Sequence, residues 1–197
     1  MKRGCDLILG LAALILVLPL IGVIAALVLV ADGKPVFFRQ ARLGRGGTPF
    51  TMIKFRTMRT LYDESGGLLP DESRVTALGG FLRRFRLDEL PELWLVVTGK
   101  MSLVGPRPLP GHVLEGLAGS RERSTMRPGL TGLAQVNGNT QLTNREKIAL
   151  DLFYRRHWSM ALDIRIMFQT VATLAFGGRR DEALILKALE ECGGGAA

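Results

Sequence analysis

The feature that most constrains the fold is an uncharged apolar segment near the start of the chain, which covers 25 residues, 7–31, and reads LILGLAALILVLPLIGVIAALVLVA. About 20 apolar residues are enough for a helix to cross the hydrocarbon core of a bilayer. A cleaved signal peptide has a shorter apolar region, of about 7 to 15 residues, which ends at a small-residue cleavage site. The segment therefore predicts a membrane helix and not a removable leader.

Two features bear on how this segment lies in the membrane. Pro19 stands almost at its midpoint, where proline removes a backbone hydrogen-bond donor and clashes with the preceding turn, so a kink is expected. Basic residues flank both ends, whereas a spanning helix normally carries them mainly on its cytoplasmic side. A kinked spanning helix and a re-entrant hairpin with two cytoplasmic ends both fit. The flanking basic residues are Lys2, Arg3, Lys34, Arg39, Arg42 and Arg45.

The rest of the chain is long enough for one catalytic unit with a hydrophobic core. Two runs rich in aromatic and β-branched residues, 35–39 and 50–58, lie on either side of a glycine-rich stretch and predict a hairpin or two short strands. A surface loop is expected at 62–74. Apolar residues at helical spacing predict the later elements, of which 160–176 is expected to be a core or interfacial amphipathic helix. The predicted helices cover 75–85, 89–97, 144–158 and 160–176, and a short one lies within 179–197.

The chain is basic, with a formal net charge of +8. Such a surface attracts polyanions, which include nucleic acid, anionic lipid headgroups and phosphorylated substrates. The sequence contains no recognised nucleic-acid-binding motif or aromatic platform, which argues against nucleic acid as a partner. The two cysteines, Cys5 and Cys192, form neither a disulfide framework nor a zinc-ligand spacing.

The first candidate for chemistry is the pair Asp88 and Glu89, at the expected start of the helix at 89–97. Free backbone amides and the positive end of the helix dipole favour anions there. A lone aspartate at a helix start is usually only an N-cap. Nearby cations indicate more, because they would keep a carboxylate ionised and hold a diphosphate beside it, although they would also suit contact with anionic lipid. These cations are Lys54, Arg56, Arg83, Arg84 and Arg86.

Arg107 is the second candidate, because Pro106 and Pro108 fix the backbone on each side of it. A fixed backbone reduces the entropy that is lost when the side chain is held on a ligand. A preset phosphate clamp and a rigid turn with a solvent-facing arginine fit this motif equally well. The turns at 127–132 and 137–139 are interpreted as structural.

An ordered set of motifs follows the apolar segment: KFRTM, RLDELPEL, MSLVGPRP, RPGLTGLAQVNG and LDIRIM. In this order the chain resembles the small monotopic phosphoglycosyl transferases among the bacterial sugar transferases, over about residues 3–174. The resemblance implies a re-entrant membrane helix that breaks at Pro19 and has both ends on the cytoplasmic face. It departs from the family pattern at Leu18, Leu133 and Asn139, where serine, tryptophan and arginine are common, and none of these changes removes a catalytic group.

The resemblance also implies roles for individual residues. Asp88 would be the nucleophile and hold Mg²⁺, and Glu89 would be its partner. Other positions match those that the family uses in or around the active site. They are Lys54, Arg83, Pro106 and Arg107 for phosphate or substrate binding, and Asp163 in a supporting role.

The implied fold is α+β and mainly helical, with a re-entrant membrane helix at 1–33, a small membrane-associated cytoplasmic catalytic domain with short strands and amphipathic helices at 34–178, and a C-terminal helix and flexible tail at 179–197. The implied reaction moves a phosphosugar from a UDP-sugar to undecaprenyl phosphate, a polyprenyl carrier, and releases UMP at the cytoplasmic face of the bacterial inner membrane. The membrane lipids are expected partners, and the sugar, the pathway and a homo-oligomer are left open. The alternative is a catalytically silent basic membrane anchor, against which the intact Asp88–Glu89 pair argues.

Overall fold

The computed structural model describes residues 2–114 and 116–193. In this part of the chain helices predominate and the strands form two short two-stranded sheets, so the mainly helical α+β class is confirmed. The helices are α1 (Lys2–Asp32), α2 (Asp71–Arg74), α3 (Ala77–Arg84), α4 (Leu93–Val97), α5 (Gly111–Leu114), α6 (Ser120–Arg123), α7 (Leu133–Val136), α8 (Asn144–Arg156), α9 (Met160–Phe176) and α10 (Glu182–Gly193). The strands are β1 (Phe37–Leu43), β2 (Pro49–Phe55), β3 (Ser102–Val104) and β4 (Gly129–Thr131), and 3₁₀ helices cover Arg45–Gly47, Leu87–Glu92 and Asn139–Gln141.

Helix α1 is helical throughout and includes Pro19 in its interior, so a break at this proline stays a prediction. Among the helices of the described ranges, it alone is long and apolar enough to cross a membrane. Most of its large apolar side chains are exposed, and Leu16 and Val30 are examples. A long exposed apolar surface of this kind is unusual for a helix in water and typical of one that contacts lipid.

Both ends of α1 pack against the rest of the fold. Near its start, Arg3 donates to two carbonyl oxygens at the end of α4, at 2.6 and 2.7 Å. Near its end, Ile24 and Val28 are buried in a cluster with residues of β2 and α3. Arg56 donates to the carbonyl oxygen of Gly33, directly after the helix, at 2.7 Å. The two ends of the apolar helix are therefore held by one folded unit.

Strands β1 and β2 form the predicted hairpin. They are antiparallel, with a register that runs from Phe37 opposite Phe55 to Leu43 opposite Pro49. The first strand continues further than the sequence predicts, and the glycine-rich turn is correspondingly shorter. This hairpin places Lys54, near the end of β2, beside the 3₁₀ helix Leu87–Glu92.

Strands β3 and β4 are a parallel pair that the sequence does not predict, with Ser102 opposite Gly129. The pair joins two motifs that are separated in the chain, of which 127–132 was interpreted as a turn and the one around Arg107 as a clamp or a turn. A Cβ atom at Gly129 would lie 2.1 Å from the backbone nitrogen of Gly105, so only glycine allows this close approach. The amide of Gly129 donates to the carbonyl oxygen of Pro106 at 2.8 Å, which fixes the backbone next to Arg107.

The largest core cluster lies among β3, α7, α8, α9 and α10 and includes Leu133. Helix α9 has the predicted bounds, and the predicted helix before it is confirmed as α8. In α9, Ile166 is fully buried, whereas Phe168 and Val171 are 72% and 66% exposed. An apolar outer face suits the predicted interfacial helix. The short C-terminal helix is confirmed as α10, and the tail at 194–197 lies outside the described residues.

One predicted helix is wrong in its type and its start. The sequence predicts a single helix at 89–97 with Asp88 as its N-cap, but the structure has the 3₁₀ helix Leu87–Glu92 followed by α4. Arg86 is the N-cap and adopts the left-handed conformation, with φ of 53°. This residue turns the chain after α3, so the helix begins earlier and Asp88 lies in its first turn.

Candidate active site

Three carboxylates lie on the 3₁₀ helix Leu87–Glu92: Asp88, Glu89 and Glu92, which are 9%, 8% and 3% exposed. Burial of charged groups is costly unless they are paired or change their protonation, so three acids on one short helix indicate a functional site. Glu92 is absent from the sequence-based prediction. Its position four residues after Asp88, within the same motif, was the one available signal that the two could share a face.

Glu89 receives the cations of the site. Lys54 Nζ donates to Glu89 Oε1 at 2.6 Å, and a guanidinium nitrogen of Arg107 donates to the same oxygen at 2.8 Å. Arg86 lies 3.5 Å from the other oxygen. Burial alone raises the pKa of Glu89, but the charges of Arg107 and Lys54 outweigh it and lower the pKa to about 2. Glu89 is therefore a permanent anion that holds Lys54 and Arg107 in place.

The surroundings of Asp88 differ from those of Glu89. Within the described residues its carboxylate takes part in no ion pair. Burial and then the charge of Glu89 raise the pKa of Asp88, against the weaker opposing charges of Lys54 and Arg83. The sequence predicts that cations hold Asp88 ionised. The pKa shift has the opposite direction, because burial and the charge of Glu89 outweigh the charges of Lys54 and Arg83. The carboxylate that results is poorly solvated and has oxygens free to react.

Glu92 occupies an intermediate position. Its Oε1 atom lies 3.4 Å from Lys54 Nζ, yet this buried oxygen has no hydrogen-bond partner in the described part of the chain. Burial raises the pKa of Glu92, Lys54 lowers it and Glu89 raises it again, to about 7. A carboxylic acid with this pKa can both give and accept a proton near neutral pH.

The remaining cations of the predicted cluster lie around the carboxylates without binding them. Arg83 donates to Thr57 Oγ1 at 2.8 Å and acts on Asp88 through its charge. Arg84 lies over the ring of Phe85, 5.7 Å from its centroid. Arg56 binds the carbonyl oxygens that follow α1. In the part of the chain that the structure describes, the cations that pair with these acids are Lys54, Arg86 and Arg107.

The backbone at Arg107 is held by residues that the sequence analysis does not single out. Its carbonyl oxygen accepts a hydrogen bond from Arg123, which forms a buried ion pair with Asp151 at 2.6 Å. Pro106 is buried, and its carbonyl oxygen accepts the amide of Gly129. The side chain of Arg107 stays 35% exposed. These contacts fix the backbone at Arg107 and leave its guanidinium accessible, paired with Glu89. The role of Arg107 as a phosphate clamp stays a prediction.

Asp163 lies in a separate network at the start of α1. It pairs with Lys2, accepts from Tyr154 OH at 2.6 Å and accepts from Trp158 Nε1 at 3.1 Å. None of these partners belongs to the carboxylate cluster around Asp88. Within the described residues, Asp163 thus supports the seat of the apolar helix, and its predicted support of the active site stays a prediction.

A family model and several known proteins match this chain. The family described as bacterial sugar transferase matches residues 1–177. EpsL of Bacillus subtilis, an uncharacterized sugar transferase, is 45% identical over 147 residues, which are 74% of this chain and 73% of EpsL. The exopolysaccharide production protein ExoY of Rhizobium meliloti is 37% identical over 190 residues, 86% of this chain and 83% of ExoY. The UDP-glucose:undecaprenyl-phosphate glucose-1-phosphate transferase of Escherichia coli is 38% identical over 185 residues, which are 87% of this chain but only 39% of that protein.

Proposed function

This chain belongs to the bacterial sugar transferase family, and we propose that it transfers a phosphosugar from a UDP-sugar to undecaprenyl phosphate. Relatives that match most of this chain carry this activity in their names, with UDP-glucose as the donor. The observation that carries the proposal is the contrast between two adjacent buried acids: Glu89 binds Lys54 and Arg107, and among the described residues no cation binds Asp88. An acid without a counter-ion next to fixed cations is the arrangement that nucleophilic attack on a diphosphate requires.

In the first step, a carboxylate oxygen of Asp88 attacks the phosphorus atom that bears the sugar. The bond from this phosphorus to the bridging oxygen breaks, and UMP leaves with the electron pair. Arg107 and Lys54 lie beside Asp88 and would stabilise the negative charge on the phosphoryl oxygens. The product is a phosphosugar ester of Asp88, in the manner of covalent catalysis by carboxylates.

In the second step, a phosphate oxygen of undecaprenyl phosphate attacks the same phosphorus atom and frees Asp88. Glu89 is poorly suited to exchange a proton, because its pKa lies at about 2. Glu92 is better suited, because its pKa of about 7 is close to the second pKa of a phosphate monoester, about 6. We assign Glu89 the task of orienting Lys54 and Arg107, and Glu92 that of taking up a proton from the acceptor.

The family resemblance implies Mg²⁺, and the donor set of this site fits a minimal magnesium site. Within the described residues, no group of three acidic, histidine or cysteine side chains is arranged to hold a metal ion by itself. Mg²⁺ is often held by one or two carboxylates together with substrate phosphates and water. Asp88 has carboxylate oxygens free for this purpose, whereas Glu89 is already bound by cations. A bound Mg²⁺ would neutralise charge on the diphosphate, and Asp88 would hold it.

We further propose that α1 is re-entrant and that the catalytic part lies at the cytoplasmic face of the bacterial inner membrane. The contacts of Arg3 at one end and of Ile24 and Val28 at the other support this, because one folded unit lies on one side of a membrane. The test introduces single cysteines at Lys2 and Lys34 in a chain with Cys5 and Cys192 changed to serine. Labelling of both from the cytoplasmic side is expected; labelling from opposite sides establishes a spanning helix.

A matched variant sharpens the topology test. Pro19→Ala removes an interior helix penalty of about 3 kcal/mol and should move the segment toward spanning. The position of the label at residue 2 is the measurement. Unchanged labelling of Pro19→Ala would remove this proline as the cause of the re-entrant path.

The catalytic test omits the lipid acceptor. Full-length protein is mixed with labelled UDP-sugar and Mg²⁺, and intact-protein mass spectrometry with peptide mapping follows the label. We expect UMP release and a phosphosugar on Asp88, with no label on Asp88→Asn. UMP that appears only with lipid, without any labelled protein, would establish direct transfer in a ternary complex. A panel of UDP-sugars identifies the donor, and UMP release from none of them would favour the silent anchor.

A further inference from the structure

A cleft of about 390 Å³ opens directly beside Glu89, and its volume lies in the range of about 300 to 1,000 Å³ that is typical of ligand sites. Its walls come from α9, from β4 and α7, from the 3₁₀ helix Leu87–Glu92 and from the middle of α1. The surface of the lining is almost entirely apolar, and the mechanism above uses none of its apolar residues. Its principal apolar residues are Phe85, Leu90, Leu130, Val136, Met167 and Leu174.

The lining of the cleft includes two chemically different groups of residues. Ala13, from the middle of the apolar helix α1, forms part of one wall, so the cleft adjoins the lipid layer in the proposed seating of α1. Arg86 and Glu89 supply charged groups to the lining. The guanidinium of Arg86 lies 3.5 Å from Glu89, beyond normal hydrogen-bond length, so its donors remain available to an incoming anion. The cleft thus joins the membrane side to Glu89, the residue that follows Asp88.

The lining selects against the sugar nucleotide. A uridine, a diphosphate and a sugar each need hydrogen-bond partners, and their burial against carbon atoms is costly. Two of the few polar side chains, Thr131 and Thr170, already bond each other at 2.7 Å. An isoprenoid chain needs no hydrogen bonds and gains free energy from contact with such a surface.

We propose that this cleft binds the first isoprene units of the polyprenyl acceptor and places its phosphate at Arg86, facing Asp88. This inference rests on the proposed function and adds the acceptor site to it. The charge of Arg86 suits a terminal phosphate, and the apolar body suits the chain attached to it. The two substrates then approach the carboxylates from different sides, the donor along Arg107 and the acceptor along α9.

The test maps the lipid directly. A short polyprenyl phosphate with a photoreactive group in its first isoprene unit is irradiated with the full-length chain in nanodiscs, and labelled peptides are identified. We expect label on residues 85–93 and 167–174, displaced by undecaprenyl phosphate but not by a phosphatidic acid of equal charge. Label elsewhere, or equal displacement by the phosphatidic acid, would overturn the proposal, and the latter would identify a general phospholipid site.

A pair of variants on α9 provides an independent measurement. Leu174→Trp fills the cleft, whereas Val171→Trp makes a comparable change on the outer face, where Val171 is 66% exposed. Leu174→Trp should raise the acceptor KM at least about tenfold, and Val171→Trp should stay within about twofold. Equal effects of the two variants would contradict the proposal. Mapped label without UMP release from any UDP-sugar would refute the proposed function and still support the lipid site.

Discussion

Two groups of carboxylates in this protein are buried to a similar degree, but they differ in how many of their oxygens accept hydrogen bonds. The anchor cluster, Asp6 and Asp163, holds the start of α1, and the reactive cluster, Asp88, Glu89 and Glu92, lies on the 3₁₀ helix. In the anchor cluster every carboxylate oxygen has a donor. Asp6 accepts from the hydroxyl of Ser102 at 2.8 Å and from the amide of Leu103 at 3.0 Å. Both carboxylate oxygens of Asp163 likewise have donors, from Lys2, Tyr154 and Trp158.

In the reactive cluster, three acids share fewer donors. Glu89 takes Lys54 and Arg107, Glu92 retains an oxygen without a hydrogen bond, and Asp88 forms no ion pair in the described part of the chain. A fully satisfied polar network rigidifies the fold, whereas a partly satisfied one stores free energy that a substrate can release. The comparison separates buried acids that fix structure from those that are kept reactive.

The largest expected effect comes from replacing one acid in each cluster by asparagine and comparing the two variants. Asp88→Asn should lower turnover more than about a thousandfold and leave thermal stability unchanged or higher, because it removes a buried charge without a partner. Asp163→Asn should instead destabilise the fold by about 1–3 kcal/mol, because Lys2 and Tyr154 lose their acceptor. Turnover of the folded fraction and the unfolding midpoint are the two measurements. A large loss of turnover in stable Asp163→Asn would place Asp163 in the active site.

An effect of intermediate size tests whether the guanidinium of Arg107 serves catalysis. Arg107→Lys replaces a planar fork by a point charge and should lower turnover at least about tenfold, or roughly 1.4 kcal/mol. The control is Arg155→Lys, which alters an exposed ion pair with Glu122 and should stay within about twofold. Turnover under saturating donor is the measurement. Near-normal turnover of Arg107→Lys would return this arginine to the role of a turn residue.

The smallest effect is a pH dependence that arises in the reactive cluster. The pKa of Glu92 is raised from 4.5 to about 7, so between these values the folded chain binds more protons than the unfolded chain, and stability should fall as pH rises. Glu89 has the opposite sign: its contribution is present above pH 4.5 and is lost as pH falls toward 2. Glu92→Gln should flatten the slope of the unfolding midpoint between pH 4.5 and 7. An unchanged slope would contradict the shifted titration of Glu92.

The sequence by itself determined the features that depend on neighbouring residues. The uncharged run at 7–31, the aromatic and β-branched runs of the hairpin and the apolar spacing in α9 each lie within one element, so their signals are complete within it. The motif around Asp88 and the prolines beside Arg107 likewise located the candidate site. Composition and spacing suffice wherever the structure follows from local backbone preference and periodicity.

Only the tertiary structure decided which groups meet. Lys54 and Arg107 reach Glu89 across 35 and 18 residues of chain, and the sequence offered Asp88 as an equally good partner. The raised pKa of Asp88, the inclusion of Glu92 and the parallel pairing of β3 with β4 also went unpredicted. The physical reason is that electrostatic energy depends on distances of a few ångströms and on burial, and both are fixed by packing between elements that are distant in sequence.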